Sequence, residues 1–105
     1  MNKTKLCAGK NALSQLQYEC DQYSMKHPFI LTDQNLYQLG YVKFILKHYH
    51  NKYCLFTDIP VDSSTDIIEK LCVIYQNEKC DGLIALGGGS VLDTAKGVYL
   101  MLSQQ

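Results

Sequence analysis

The fold of this chain is decided by the stretch Leu83-Ile84-Ala85-Leu86-Gly87-Gly88-Gly89-Ser90-Val91-Leu92-Asp93-Thr94-Ala95-Lys96. Four apolar residues typical of a strand lead into three glycines, and a serine, a carboxylate and a lysine follow at helical spacing. Glycines at a strand-to-helix junction let the backbone turn sharply and approach a ligand closely, because no Cβ stands in the way. The following helix directs its free N–H groups and the positive end of its dipole at that junction. The stretch therefore predicts a turn that binds a phosphate group.

The same residues also fit a purely structural role. Ser90 as a helix N-cap, with Asp93 three residues later, is a variant of the capping box. The stretch does not satisfy the G-x-G-x-x-G fingerprint, because Leu92 occupies the third glycine position, and it lacks the Gly-Lys-Ser/Thr of a Walker A loop. A capped helix still presents its remaining N–H groups, so the structural and the phosphate-binding interpretations are compatible.

Apolar patterning outside the glycine stretch predicts strands that alternate with helices. Strands are predicted at residues 29–32, 53–57 and 83–86, and helices at residues 11–25, after Asp33, after the turn at residues 60–64 and after the glycines. This βαβαβα order indicates an α/β fold, a Rossmann-like three-layer domain with a parallel sheet. We expect Ile30, Leu55 and Ile84 to lie on adjacent or near-adjacent strands.

The second helix is predicted as one continuous element. Asp33 and Asn35 offer N-caps for it. Its apolar stripe consists of Leu39, Val42, Ile45, Leu46 and Tyr49. Gly40 lies inside this stripe as a point of weakness.

The composition narrows the classes of function. Hydrophobic residues make up 47% of the 105 residues, which is typical of one globular domain, and the formal net charge is zero. The sequence has no run of basic residues, so its charge gives no indication that the chain binds nucleic acid or an anionic membrane. The five cysteines lack C-x-x-C spacing, and the three histidines lack partners at ligand spacing, which favours reduced thiols and no metal site. We expect a cytoplasmic protein.

Polar side chains follow the predicted strands at one edge of the sheet. In open parallel sheets, ligands bind outside the carboxyl ends of the strands, and Asp33, the turn at residues 58–64 and the glycines all lie at those ends. The Asp33 carboxylate can accept hydrogen bonds from ribose hydroxyls, and it repels a 2′-phosphate. A role as a helix N-cap is the alternative for Asp33. Asp62 is a weaker candidate, because a second carboxylate near a pyrophosphate is electrostatically unfavourable.

Motifs over most of the chain resemble the N-terminal cofactor-binding half of the iron-containing alcohol dehydrogenase family. The glycine stretch reads G-G-G-S-x-x-D-x-x-K from Gly87 to Lys96. The segment Gly9-Lys10-Asn11-Ala12-Leu13 is similar to the family's G-x-G-A-L opening, with Asn11 in place of the second glycine. Phe29-Ile30-Leu31-Thr32-Asp33 is similar to its first strand. The family's Pro-Asn-Pro-Thr turn reads Val61-Asp62-Ser63-Ser64 here, so Asp62 stands where the family has asparagine.

The resemblance implies a nicotinamide-dependent oxidoreductase that interconverts an alcohol with an aldehyde or ketone. Residues 1–105 are expected to form a partial N-terminal dinucleotide-binding domain that prefers NAD to NADP. The cofactor-binding residues implied are Asp33, Asp62, Gly88, Gly89 and Ser90. In the family, an aspartate and three histidines of a separate helical domain hold iron. We therefore expect no catalytic residue and no metal ligand in this chain, which alone should be inactive and prone to form homo-oligomers.

Two alternatives stay open at this point. A glycerol-dehydrogenase-like enzyme shares the Asp-Thr-Ala-Lys continuation, but that branch usually has lysine where this chain has Ser90. The other alternative is a truncated, non-catalytic module that binds a nucleotide or a partner.

Overall fold

The computed structural model of the chain describes residues 5–8, 16–62 and 64–104. The strands are β1 (Leu6–Ala8), β2 (Pro28–Thr32), β3 (Cys54–Phe56) and β4 (Gly82–Leu86). The helices are α1 (Leu16–Gln22), α2 (Gln34–Gln38), α3 (Tyr41–Lys47), α4 (Thr65–Asn77) and α5 (Gly89–Ser103). Within these described ranges, no helix combines the length and the apolar character that a membrane crossing requires.

The four strands form one parallel sheet in the order β1-β4-β2-β3. Ile30 on β2 lies opposite Leu55 on β3 and opposite Ile84 on β4, which confirms the predicted neighbourhood of these three residues. Every residue of β2 and β4 is buried, as expected for the central strands of a parallel sheet that is covered on both faces.

Helices cover the two faces of the sheet, and the α/β three-layer prediction is confirmed. Side chains alternate between the faces along each strand. Ile30 and Ile84 pack with residues of α1 and α3, whereas Leu31 and Leu83 pack with residues of α4 and α5. Each face thus has its own apolar core, and the sheet separates the two cores.

The first strand and the end of the first helix differ from the prediction. β1 was not predicted, because it has only three residues and lies at an edge of the sheet. The predicted first helix reached Met25, but α1 ends at Gln22, and its predicted start lies outside the described residues. Ser24 then adopts a left-handed conformation with φ of 56°. The chain therefore leaves the helix before the proline at position 28, where the sequence predicts the stop.

The continuous second helix was also predicted wrongly. The chain forms two short helices, α2 and α3, because Gly40 adopts φ of 89° between them. Few residues other than glycine tolerate this left-handed conformation, which ends one helix and redirects the next. Val42 and Leu46 of the predicted stripe are buried, but Leu39 is 66% exposed because it precedes the change of direction.

Candidate functional site

The glycine turn joins the end of β4 to the start of α5. Gly87 has φ of 147°, and a Cβ placed there would lie 2.8 Å from Cγ2 of Val91. Both observations require glycine at this position. Gly88 is the N-cap of α5 and makes no side-chain capping bond. The prediction that Ser90 is the N-cap was therefore wrong: α5 begins at Gly89, which places Ser90 inside its first turn.

The backbone of the turn is accessible from solvent. Gly87, Gly88 and Gly89 are all exposed, and beyond the adjoining backbone a Cβ at Gly88 or Gly89 would meet no atom of the described residues within 4 Å. In the first backbone hydrogen bond of the helix, the Leu92 N–H donates to the Gly88 carbonyl at 3.1 Å. The N–H groups that precede Leu92 in the first turn of a helix have no partner within that helix. This end of α5 has the charge and the space to receive an anion.

Asp33 lies beside the glycine turn. Thr32 on β2 pairs with Leu86 on β4, so the residues that follow them, Asp33 and Gly87, leave the sheet together. Oδ1 of Asp33 accepts a hydrogen bond from the Leu36 N–H at 2.8 Å and caps α2. Oδ2 of Asp33 faces the turn, 3.4 Å from the position of a Cβ on Gly87. One oxygen of this carboxylate thus stabilises a helix, while the other points towards the glycines.

The end of β3 is tied to the same edge of the sheet. The Ile59 N–H donates to the Thr32 carbonyl at 3.3 Å, which holds the loop after β3 across the end of β2. Nε2 of Gln34 donates to Oγ1 of Thr57 and to Oδ1 of Asp58, both at 2.8 Å. Sequence reasoning missed Gln34, because a glutamine after a strand belongs to no motif and its partners lie 23 and 24 residues away.

The other two predicted cofactor-binding residues differ in their surroundings. Ser90 is half-buried at the mouth of the turn, and its carbonyl accepts a hydrogen bond from Oγ1 of Thr94 at 2.8 Å. Asp62 is exposed on the loop that follows β3. Among the contacts of the described residues, none joins Asp62 to Asp33 or to the glycine turn.

The described ranges contain no cluster of metal ligands, and burial raises the pKa of their thiols. No group of three or more histidine, cysteine, aspartate or glutamate side chains in residues 5–8, 16–62 and 64–104 could hold a metal ion. Those residues therefore do not fit an iron site. Burial, with the nearby Glu19 carboxylate second, raises the pKa of the Cys7 thiol to about 11. Burial likewise raises the pKa of Cys80 to about 12, so both thiols are protonated at neutral pH.

Comparison with known proteins supports a common origin over almost the whole chain. The family model "Iron-containing alcohol dehydrogenase" matches residues 3–105. The probable alcohol dehydrogenase EutG of Escherichia coli is 32% identical over 101 residues, which cover 93% of this chain and 25% of that protein. The 4-hydroxybutyrate dehydrogenase of Cupriavidus necator is 27% identical over 95 residues, covering 90% of this chain and 25% of the relative. The chain spans about a quarter of the length of these relatives.

Solved structures show the same fold. A 1,3-propanediol oxidoreductase superimposes with a TM-score of 0.78 at 20% identity, over 100% of this chain and 29% of its own. The iron-containing alcohol dehydrogenase of Thermococcus thioreducens gives 0.69 at 26% identity, over 93% of this chain and 26% of its own. Because the family model covers all but two residues, the chain belongs to the iron-containing alcohol dehydrogenase family.

Proposed function

We propose that this chain binds the ADP portion of a nicotinamide dinucleotide at the carboxyl edge of its sheet. The observation that carries the proposal is the exposed glycine turn at the N-terminus of α5, with Oδ2 of Asp33 beside it. A sulfoacetaldehyde reductase of Bifidobacterium kashiwanohense, solved in complex with NAD+, shares this fold with a TM-score of 0.72 at 16% identity. Its match covers 91% of this chain and 26% of its own.

The pyrophosphate is assigned to Gly88, Gly89 and Ser90. The open space that a Cβ would occupy at the two glycines lets phosphate oxygens reach the backbone N–H groups. The 15-residue helix α5 adds the positive end of its dipole at the same point. The residues present therefore fit a phosphate group, which supports this half of the proposal.

The adenosine ribose is assigned to Asp33. Its Oδ1 accepts from the Leu36 N–H, whereas Oδ2 has no hydrogen-bond partner among the described residues and can accept from ribose hydroxyls. The negative charge disfavours a 2′-phosphate, so we propose NAD rather than NADP as the cofactor. Asp62 is assigned only a peripheral place at the rim, because it is exposed and no contact among the described residues joins it to Asp33 or to the glycine turn.

We propose further that the whole protein is an oxidoreductase that interconverts an alcohol with an aldehyde or ketone. The nicotinamide ring, when bound, supplies the hydride acceptor for such a reaction. The chain's own residues hold and orient the other end of the cofactor, and none of the described residues is assigned to the chemical step. The 105-residue chain alone is proposed to bind ADP weakly, because it contributes few of the contacts that must repay the ordering cost.

Calorimetric titration with ADP and with adenosine tests the proposal. Because the turn is assigned to phosphate, ADP should bind more tightly than adenosine, and the difference should shrink as salt is added. The variant Gly89→Asp places a carboxylate in the open space and should abolish that difference. The matched control is Ser103→Asp, which places the same charge at the far end of α5. Gly97→Asp is unsuitable, because a Cβ at Gly97 would lie 2.6 Å from Ile68. Equal affinities for ADP and adenosine in the native chain would refute the proposal.

A further inference from the structure

We infer that Asp58 is a second determinant of cofactor selectivity: together with Asp33, it disfavours a dinucleotide that carries a 2′-phosphate. This inference deepens the proposed function and rests on it, because it concerns the same ribose-binding edge. Asp58 is exposed, and it follows β3 at a distance of two residues. Its role follows from how the loop after β3 is anchored.

The two aspartates flank one backbone hydrogen bond. The Ile59 N–H donates to the Thr32 carbonyl at 3.3 Å. Asp58 immediately precedes the donor residue, and Asp33 immediately follows the acceptor residue. Neighbouring strands lie about 4.8 Å apart, so the two backbones are separated by roughly one strand spacing where the aspartates emerge. Both carboxylates therefore belong to the same rim of the sheet.

Gln34 connects Asp58 to this rim. Its Nε2 donates to Oδ1 of Asp58 and to Oγ1 of Thr57, each at 2.8 Å. The same nitrogen lies 3.4 Å from the Thr57 carbonyl oxygen, so the two N–H donors of this amide are shared among three acceptors. Asp58 thus has two effects: it places negative charge beside Asp33, and it holds an amide that could otherwise donate to a phosphate.

The magnitude follows from Coulomb's law. A phosphate monoester carries between one and two negative charges at neutral pH. In a medium close to water, repulsion between such a phosphate and one exposed carboxylate nearby changes the binding constant by a factor of several before screening by salt. Removing the Asp58 charge should therefore relax discrimination against a 2′-phosphate by about threefold to tenfold.

Binding of 5′-ADP and of 2′,5′-ADP tests the inference with the chain as it stands. The ratio of the two dissociation constants measures the penalty for the 2′-phosphate. Asp58→Asn should lower this penalty threefold to tenfold while leaving the affinity for 5′-ADP nearly unchanged. Glu78→Gln, an exposed carboxylate at the opposite end of α4, removes the same charge as a control and should leave the ratio unchanged.

A further comparison separates the charge from the hydrogen bond. Asparagine at position 58 retains an oxygen that accepts from Gln34, whereas Asp58→Ala removes one of the acceptors of that amide and leaves only those of Thr57. The alanine variant should therefore relax the penalty more than the asparagine variant does, and equal ratios would overturn the role given to Gln34. If the native chain binds 5′-ADP, but Asp58→Asn and Glu78→Gln show the same ratio of the two dissociation constants, then Asp58 does not determine cofactor selectivity. If native chain does not bind 5′-ADP, the proposed function itself fails.

Discussion

Alanine substitutions in the glycine turn should separate stability from ligand binding. At Gly87, alanine would have to adopt φ of 147°, with its Cβ 2.8 Å from Cγ2 of Val91 and 3.4 Å from Oδ2 of Asp33. Such a backbone conformation costs about 1–3 kcal/mol for a residue other than glycine, and the overlap with Val91 adds to it. Gly87→Ala should therefore lower the free energy of unfolding by about 2–4 kcal/mol.

The neighbouring glycine should behave in the opposite way. Gly88 has φ of −84°, and a Cβ there meets no atom of the described, non-adjacent residues within 4 Å, so alanine is compatible with the fold. Gly88→Ala should leave the free energy of unfolding unchanged or raise it by up to about 1 kcal/mol, because it restricts the unfolded chain. The added methyl group nevertheless occupies the space assigned to a phosphate, so the affinity for ADP should fall.

Urea denaturation and ADP titration of the two variants measure both effects. The expected result is an unstable Gly87→Ala chain and a stable Gly88→Ala chain that binds ADP weakly. Leu100→Ala is the reference variant, because Leu100 is exposed and lies three turns from the glycines in the same helix. Thr94→Ser, which is closer to the glycines, is less suitable. A Gly88→Ala chain that binds ADP as well as the native chain would refute the assignment of the phosphate to this turn.

Three further predictions follow from the capping bond, the thiols and the absence of ligand clusters among the described residues. Asp33→Ala should lower the free energy of unfolding by about 1 kcal/mol, measured in urea, whereas Asp33→Asn keeps an acceptor for the Leu36 N–H and should cost less; equal losses would deny the capping role. Because burial raises the folded-state pKa of Cys7 to about 11, the unfolded chain loses this proton first, and stability should fall as pH rises from about 8.5 towards 11. Denaturation at stepped pH should show a shallower decline for Cys7→Ala, and an identical slope would contradict this. The purified 105-residue chain should hold no stoichiometric iron by elemental analysis and should not reduce NAD with short alcohols, and measurable turnover would contradict this.

The glycine turn and the parallel sheet are predictable from local pattern. Buried parallel strands appear as short apolar runs, and three glycines at the end of one mark the turn regardless of what packs around it. That Ile30, Leu55 and Ile84 lie on neighbouring strands follows from the βαβ spacing and the crossover rule for parallel strands. Asp33 is predictable as a candidate for the same reason, since it directly follows a buried strand.

Other features depend on geometry that local pattern does not encode. The sign of φ at Gly40 decides between one helix and two, and glycine permits both signs at similar cost. The start of α5 shifts the cap from Ser90 to Gly88, because both positions fit a helix N-terminus. The bond from Gln34 to Asp58 joins residues 24 positions apart, so only the folded chain brings them together.

Mapping ADP on the isotopically labelled chain by amide chemical shifts tests the central claim most directly. Saturable shifts should be confined to the glycine turn with Ser90 and Val91, and to the cap between Asp33 and Leu36. Amides at the amino ends of β2 and β3, such as those of Phe29 and Cys54, should not move. Shifts centred on the amino ends of the strands, or none at the glycine turn under saturating ADP, would contradict the account.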